Sequence, residues 1–145
     1  MLKPMTSNHP RFHLAFPVHD LGAARAFYGG ILKCPEGRSA PDWVDFDFFG
    51  HQIVAHLSKG GGHGEGQNDV DGDNIPVRHF GVILTPDSWR KTAKNLEAAG
   101  VAFLVPPKVR FEGQPGEQFT LFVRDPSGNA LEFKAFTDDA MVFAK

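Results

Sequence analysis

The sequence predicts an α+β fold made of two successive units with the same order of elements, strand–helix–strands. In each half, a run of alternating apolar and polar residues indicates a strand, and a stretch with helical spacing of apolar residues follows it. A glycine-rich polar segment separates the halves, and each half has roughly 50–60 residues, which is small for an independent core. We therefore expect one domain over residues 1–145, with both units packed around a shared core.

The first unit, about residues 11–58, begins with a strand candidate from Arg11 to Val18. Asp20 then offers an N-cap for a helix over residues 21–28, because an Asp side chain accepts hydrogen bonds from the free amides of a first helical turn. A hairpin follows, since residues 43–49 alternate, end at Gly50 and lead directly into a second strand over residues 51–57.

A Gly-rich flexible linker is expected over residues 59–76, and the second unit, about residues 77–136, then repeats the order. A strand over 77–84 precedes a helix that has Thr85 as its N-cap and Pro86 at its first position and that stops at Gly100, and further strands cover 101–105, 119–124 and 130–136. Between the last two strands, Asp125-Pro-Ser-Gly-Asn129 is typical of a turn, because Pro presets φ while Gly and Asn accept positive φ. Residues 137–145 form a C-terminal tail.

Composition excludes several classes of partner. The net charge is −2 and no cluster of Lys and Arg exceeds two residues, which argues against a nucleic-acid partner. No apolar run approaches the roughly 18 residues that a membrane span needs, so no membrane partner is expected. The N-terminal residues have no secretory hydrophobic segment and Cys34 is the only cysteine, so we expect a cytoplasmic protein.

Four side chains with metal-binding atoms occupy corresponding elements of the two units. His13 and His79 lie on the first strand of each unit, and His56 and Glu132 lie on the last. A lone Glu132 on a half-buried strand is more often only solvated, but four such residues on matching elements favour a metal site. Imidazole and carboxylate suit Fe, Mn, Ni, Co or Zn, and two histidines with one carboxylate form the face typical of non-haem Fe(II) oxygenases.

Several segments resemble the vicinal oxygen chelate superfamily, which includes glyoxalase I, extradiol ring-cleavage dioxygenases, fosfomycin-resistance transferases and bleomycin-binding proteins. They are Phe12-His13-Leu-Ala-Phe-Pro-Val-His-Asp20-Leu21, Phe27-Tyr28, His79-Phe-Gly-Val and Asp125-Pro126-Ser127-Gly128-Asn129-Ala130-Leu131-Glu132. The resemblance implies tandem βαβββ modules that form an incomplete barrel around a metal, with His13, His79 and Glu132 as ligands. It places His56 where glyoxalase I has a carboxylate ligand and where extradiol dioxygenases have a histidine beside the substrate.

The resemblance thus implies a metal-dependent enzyme that chelates a small-molecule substrate through two adjacent oxygens, with an extradiol-type dioxygenase using Fe(II) as the favoured hypothesis. His56 is then either a fourth ligand or a catalytic acid/base. Ni, Zn, Mn and Co stay open as metals. A glyoxalase-like isomerase or epimerase and a metal-free protein that binds a small molecule or antibiotic are the alternatives, and a homodimer is compatible with all three.

Overall fold

The computed structural model describes residues 9–59, 66–70 and 72–144. The elements of its first module are β1 (His13–Val18), α1 (Leu21–Ala24, then π-helical Arg25–Ile31), β2 (Glu36–Ala40), β3 (Trp43–Phe48) and β4 (His51–Leu57). The strands form a four-stranded sheet in the order β1-β4-β3-β2, in which β1 and β4 run parallel. The helix α1 follows β1 and continues as a π-helical turn.

The second module repeats this plan after an intervening hairpin. The hairpin consists of β5 (Gly66–Val70) and β6 (Asp73–Val77). The module itself contains β7 (Phe80–Ile83), α2 (Pro86–Ala98), β8 (Phe103–Arg110), β9 (Gln118–Arg124) and β10 (Ala130–Phe136), and a 3₁₀ turn (Asp139–Met141) follows it. Its sheet order, β7-β10-β9-β8, and its parallel β7–β10 pair match those of the first module.

Two βαβββ modules with identical connectivity confirm the expected α+β class, and the two sheets do not close into a barrel. The expected helix starts are also confirmed. The Asp20 carboxylate accepts a hydrogen bond from the Ala23 amide at 2.8 Å, and the Thr85 hydroxyl accepts one from the Ser88 amide at 3.2 Å. These side chains satisfy amides that have no partner within the first helical turn.

One apolar core lies between the sheets and the helices, and both modules contribute to it. Along β10, Leu131 and Phe133 are fully buried in this core, while Glu132 and Lys134 alternate with them on the opposite, half-buried face. The core side therefore holds the fold together, and Glu132 lies on the side of the second sheet that faces away from this core.

The turn Asp125–Asn129 ties the two modules together. The buried Asp125 carboxylate accepts hydrogen bonds from the Ser127 and Asn129 amides, which is the local bonding of an Asx turn, and also one from the Tyr28 hydroxyl at 2.8 Å. The Asn129 side chain donates to the Pro17 carbonyl at 2.8 Å. The motif that marks the family resemblance is thus a structural joint between α1 and β1 on one side and β10 on the other.

The structure corrects three expectations about elements. β2 is an additional strand that the sequence analysis did not predict, because its residues, Glu36–Ala40, are mostly exposed and do not alternate. Residues 60–65 and 71 of the expected flexible linker lie outside the described residues, and the rest of its second part contains the hairpin β5–β6. The strand expected over 77–84 is shorter, since Val77 ends β6 and β7 begins at Phe80.

The hairpin β5–β6 packs on the face of the second sheet that carries Glu132. Ile75 forms a small buried cluster with Val105 and Phe122. The Asp73 carboxylate bridges to Lys108 at 3.0 Å and to the buried Arg110 at 2.9 Å. Since Phe122 lies directly opposite Glu132 in the ladder, the hairpin covers part of this face.

In the described part of the chain, no helix has the length and apolar character that a membrane crossing requires.

Candidate functional site

His79 and Glu132 meet on the open face of the second module. His79 lies in the short segment between β6 and β7, and Glu132 lies in the middle of β10, opposite Gly81 of β7. The His79 Nε2 and Glu132 Oε1 atoms are 3.3 Å apart, and the two side chains are 28% and 15% exposed. The pair is therefore partly shielded yet reachable from solvent.

The remaining polar atom of each side chain is held by another residue. The Pro76 carbonyl, which can only accept, lies 2.6 Å from His79 Nδ1, so Nδ1 carries the donated hydrogen. The Thr120 hydroxyl donates to Glu132 Oε2 at 2.6 Å. The Phe122 ring packs edge-on against the imidazole with centroids 4.9 Å apart. These contacts fix both side chains and turn Nε2 and Oε1 towards each other.

The electrostatics of the pair require a positive charge between the two facing atoms. With its hydrogen on Nδ1, a neutral imidazole would aim the Nε2 lone pair at a carboxylate oxygen, so Nε2 must carry a proton or a cation. The hydrogen bond with Glu132 accordingly raises the pKa of His79, although burial opposes it. Burial alone would raise the pKa of Glu132, but hydrogen bonds from His79 and Thr120 outweigh it and the net pKa is lowered.

His13 begins β1 and lies away from this pair. Its Nδ1 is 2.8 Å from the Gln52 side-chain oxygen, and the Gln52 amide nitrogen donates to the Asp45 carboxylate at 3.1 Å. Within the part of the chain that the structure covers, no three His, Cys, Asp or Glu side chains come together in a way that could hold a metal ion. One chain thus assembles two of the three expected ligands.

His56 does not occupy the position in the first module that corresponds to Glu132. In the second module, Glu132 lies opposite the residue that follows His79 by two places. In the first module, Val54 lies opposite the residue that follows His13 by two places. His56 lies two residues further along β4, opposite Pro17 and Trp43, and it is exposed. Its counterpart by register is Lys134. An apolar side chain thus replaces the fourth ligand that a fully symmetric site would need.

A groove of about 510 Å³ runs between β1 and β7, the two edge strands that face each other across the modules. Its wall is mainly apolar and includes Phe12, Phe16 and Phe80, and His79 lies in the same lining. The groove therefore gives an apolar surface next to one of the candidate ligands.

The residues that support the ligands were not among those predicted from the sequence. Thr120, Gln52 and Asp45 are polar residues on the faces that carry the candidate ligands, and each was visible in the alternation of its strand. Counting back from the turn at 125–129 would have placed Phe122 opposite Glu132 and Thr120 diagonal to it. The Pro76 carbonyl left no such signal, because a backbone contact depends on how the hairpin β5–β6 packs.

The two tandem βαβββ modules define the class of protein to which the chain belongs. The chain belongs to the glyoxalase/bleomycin resistance protein/dioxygenase superfamily, whose family model matches residues 12–133. A comparison with curated proteins finds no match.

Solved structures with the same fold include one of substantial sequence similarity. The glyoxalase/bleomycin resistance protein/dioxygenase from Alicyclobacillus acidocaldarius is 36% identical, with a TM-score of 0.77 over 96% of this chain and 100% of that chain. The fosfomycin resistance protein FosX from Listeria monocytogenes is 18% identical, with a TM-score of 0.63 over 93% and 94%. Lactoylglutathione lyase from Agrobacterium tumefaciens is 15% identical, with a TM-score of 0.62 over 97% and 100%. At such low identities, the last two show the fold alone.

Proposed function

We propose that this protein is a metal-dependent enzyme that binds a small substrate through two adjacent oxygens. The metal is held by His79 and Glu132 of one chain together with His13 of a second copy. The observation that carries the proposal is the facing arrangement of His79 Nε2 and Glu132 Oε1 at 3.3 Å, with every other polar atom of the two side chains engaged.

The chemistry of these donors fits a divalent metal. A ligating histidine usually donates its second ring N–H to a carbonyl or carboxylate, as His79 does to Pro76. A ligating carboxylate is usually hydrogen-bonded at its other oxygen, as Glu132 is by Thr120. The positive charge that the facing atoms require is supplied equally by a proton or by a metal ion, so metal binding displaces the proton from Nε2.

The position of the third ligand, His13, is the reason for proposing a homodimer. His13 is exposed at the start of β1 and lies outside the His79–Glu132 pair, so a single described chain provides an incomplete ligand set. A second copy that brings its β1 against the open face of β10 would add His13 and complete it. This arrangement would also shield the Phe12 side chain, which is 62% exposed in the single chain.

The pairing register of β1 with β4 favours a metal site with three protein ligands. Val54, at the place of a fourth donor, is apolar, so two imidazoles and one carboxylate would bind the metal on one face and leave positions open for substrate oxygens. This set is typical of non-haem Fe(II) oxygenases, and we propose Fe(II) and an extradiol-type oxygenation. When bound, the metal supplies Lewis acidity towards the substrate oxygens and a centre for O₂ chemistry.

The chain's own residues have separate roles in this proposal. Pro76 and Thr120 orient the ligands, and the apolar groove receives the non-chelating part of the substrate and excludes water. His56, on the same face of β4 as Gln52 but four residues away, contacts the substrate as an acid/base and not the metal. The free, buried Cys34 fits a reducing compartment, so we keep a cytoplasmic location within the proposal.

Anaerobic reconstitution with Fe(II), followed by metal analysis and O₂ uptake with a panel of catechols, tests the proposal. We expect bound metal in the wild type, oxygen consumption with at least one catechol, and loss of metal in His13→Ala, His79→Ala and Glu132→Ala. Metal-dependent turnover without oxygen consumption would instead support a glyoxalase-like isomerase or epimerase. Full metal content in all three variants would refute the site, and a wild type that binds no metal would instead support a metal-free small-molecule binding protein.

A further inference from the structure

We infer that Gln52 and Asp45 are positioning residues that hold His13 as its Nδ1–H tautomer and thereby keep Nε2 available as a metal ligand. This inference rests on the proposed function, because it concerns the third ligand of the same site. It assigns a role to two side chains of the first module that contact no other candidate ligand.

The orientation of the Gln52 amide follows from its neighbour Asp45. Asp45 is 8% exposed on β3, and its carboxylate can only accept hydrogen bonds. The contact of 3.1 Å between Gln52 and Asp45 Oδ2 must therefore use the amide nitrogen of Gln52 as donor. Consequently, the amide oxygen of Gln52 faces the other way, towards His13.

The tautomer of His13 follows from the amide orientation. His13 and Gln52 are directly opposite each other in the parallel β1–β4 ladder, so their side chains share one face of the sheet. The Gln52 oxygen, an acceptor only, lies 2.8 Å from His13 Nδ1, and the contact forms a hydrogen bond only when Nδ1 carries the hydrogen. In the neutral ring, the lone pair is then on Nε2, the atom that remains free to bind a metal.

The two modules fix the Nδ1–H form of their histidines with different hydrogen-bond acceptors. In the second module the Pro76 carbonyl fixes His79 as the Nδ1–H tautomer, and in the first module the Gln52 side chain does so for His13. Two histidines that present Nε2 as a free donor atom are what a shared metal ion requires. Because Gln52 also donates to the buried Asp45, the two hydrogen bonds together hold the exposed His13 imidazole against a rigid strand.

Nitrogen NMR of the metal-free protein, at a pH where the imidazoles are neutral, reads the tautomer directly. We expect the Nδ1–H form at His13 in the wild type and in Asp45→Asn, which keeps an acceptor oxygen for the Gln52 amide nitrogen. In Gln52→Leu we expect a mixture of tautomers. Matching amide spectra in both variants establish that the fold tolerates the changes. An Nε2–H form at His13 in the wild type would overturn the inference.

Titration with Zn²⁺, used as a redox-inert probe, gives the second readout. Loss of a hydrogen bond that orients a metal ligand typically weakens metal binding about 10–100-fold, and we expect this in Gln52→Leu, while Asp45→Asn stays close to wild type. If His13→Ala weakens Zn²⁺ binding and Gln52→Leu does not, the inference is wrong and the metal site stands. If His13→Ala, His79→Ala and Glu132→Ala all bind Zn²⁺ like the wild type, the metal site itself is wrong and the inference fails with it.

Discussion

Replacement of Thr120 by Val is expected to weaken both the fold and metal binding, because it removes one hydroxyl and keeps the shape of the side chain. Thr120 is fully buried, and its hydroxyl donates to Glu132 Oε2 at 2.6 Å. A hydrogen bond to a charged group contributes about 1.5–3 kcal/mol to stability. Since the Glu132 side chain is only 15% exposed, water replaces the lost donor poorly, and we expect a loss in this range.

The expected loss depends on pH in a defined direction. The pKa of Glu132 in the fold is lowered from its ordinary value of 4.5, so its hydrogen bonds stabilise the protein above about pH 4.5 and are lost as the pH falls through the lowered pKa. The difference in unfolding free energy between the metal-free wild type and Thr120→Val should therefore be largest above pH 4.5 and shrink in acid. Urea unfolding at pH 7 and at lower pH measures it.

Thr120→Ser is the matched control, since it keeps the hydroxyl and loses one methyl group. We expect Thr120→Val to weaken metal binding about 10–100-fold and Thr120→Ser to change it little. Equal unfolding free energies for wild type and Thr120→Val at pH 7, or equal losses of metal affinity in the two variants, would refute the reasoning that the hydroxyl positions Glu132.

Three further outcomes follow from the packing. Tyr28→Phe should lower the free energy of unfolding by about 1.5–3 kcal/mol, because it removes a buried hydrogen bond to a carboxylate, and leave metal affinity unchanged; urea unfolding and Zn²⁺ titration check this. Gly81→Ala should destabilise the protein and disturb the site, because a Cβ there would collide with the backbone carbonyl of the neighbouring strand, while Gly30→Ala, which meets open space, should be tolerated in thermal unfolding. Cys34, whose pKa burial raises to about 12, should resist iodoacetamide at pH 8 in the native protein and react once the protein unfolds; rapid native labelling would contradict its burial.

Much of the architecture is encoded in local patterns and could be predicted. Asp20 and Thr85 cap helices through contacts three residues away, and the turn at Asp125–Asn129 depends on residues within the turn itself. The alternation along β10 likewise predicted which face carries Glu132. Such features follow from the nearest neighbours in the chain, so they can be recognised without knowledge of the tertiary structure.

Features that depend on register or on distant packing could not be predicted in the same way. The order of elements alone suggested that His56 corresponds to Glu132, but the ladder puts Val54 there, a shift of two residues that leaves the side chain on the same face. The strand β2 lacked a pattern because it is exposed along most of its length. Pro76 supports His79 only because the hairpin β5–β6 folds back onto the second sheet.

A mixed dimer tests most directly the claim that two copies share each metal site. His13→Ala and Glu132→Ala chains carrying different tags are refolded together, and the hybrid is isolated and titrated with Zn²⁺. The first chain then provides an intact His79–Glu132 pair and the second an intact His13, so the account predicts one tight site per hybrid and none in either parent variant. A hybrid that binds no better than the parents would contradict it.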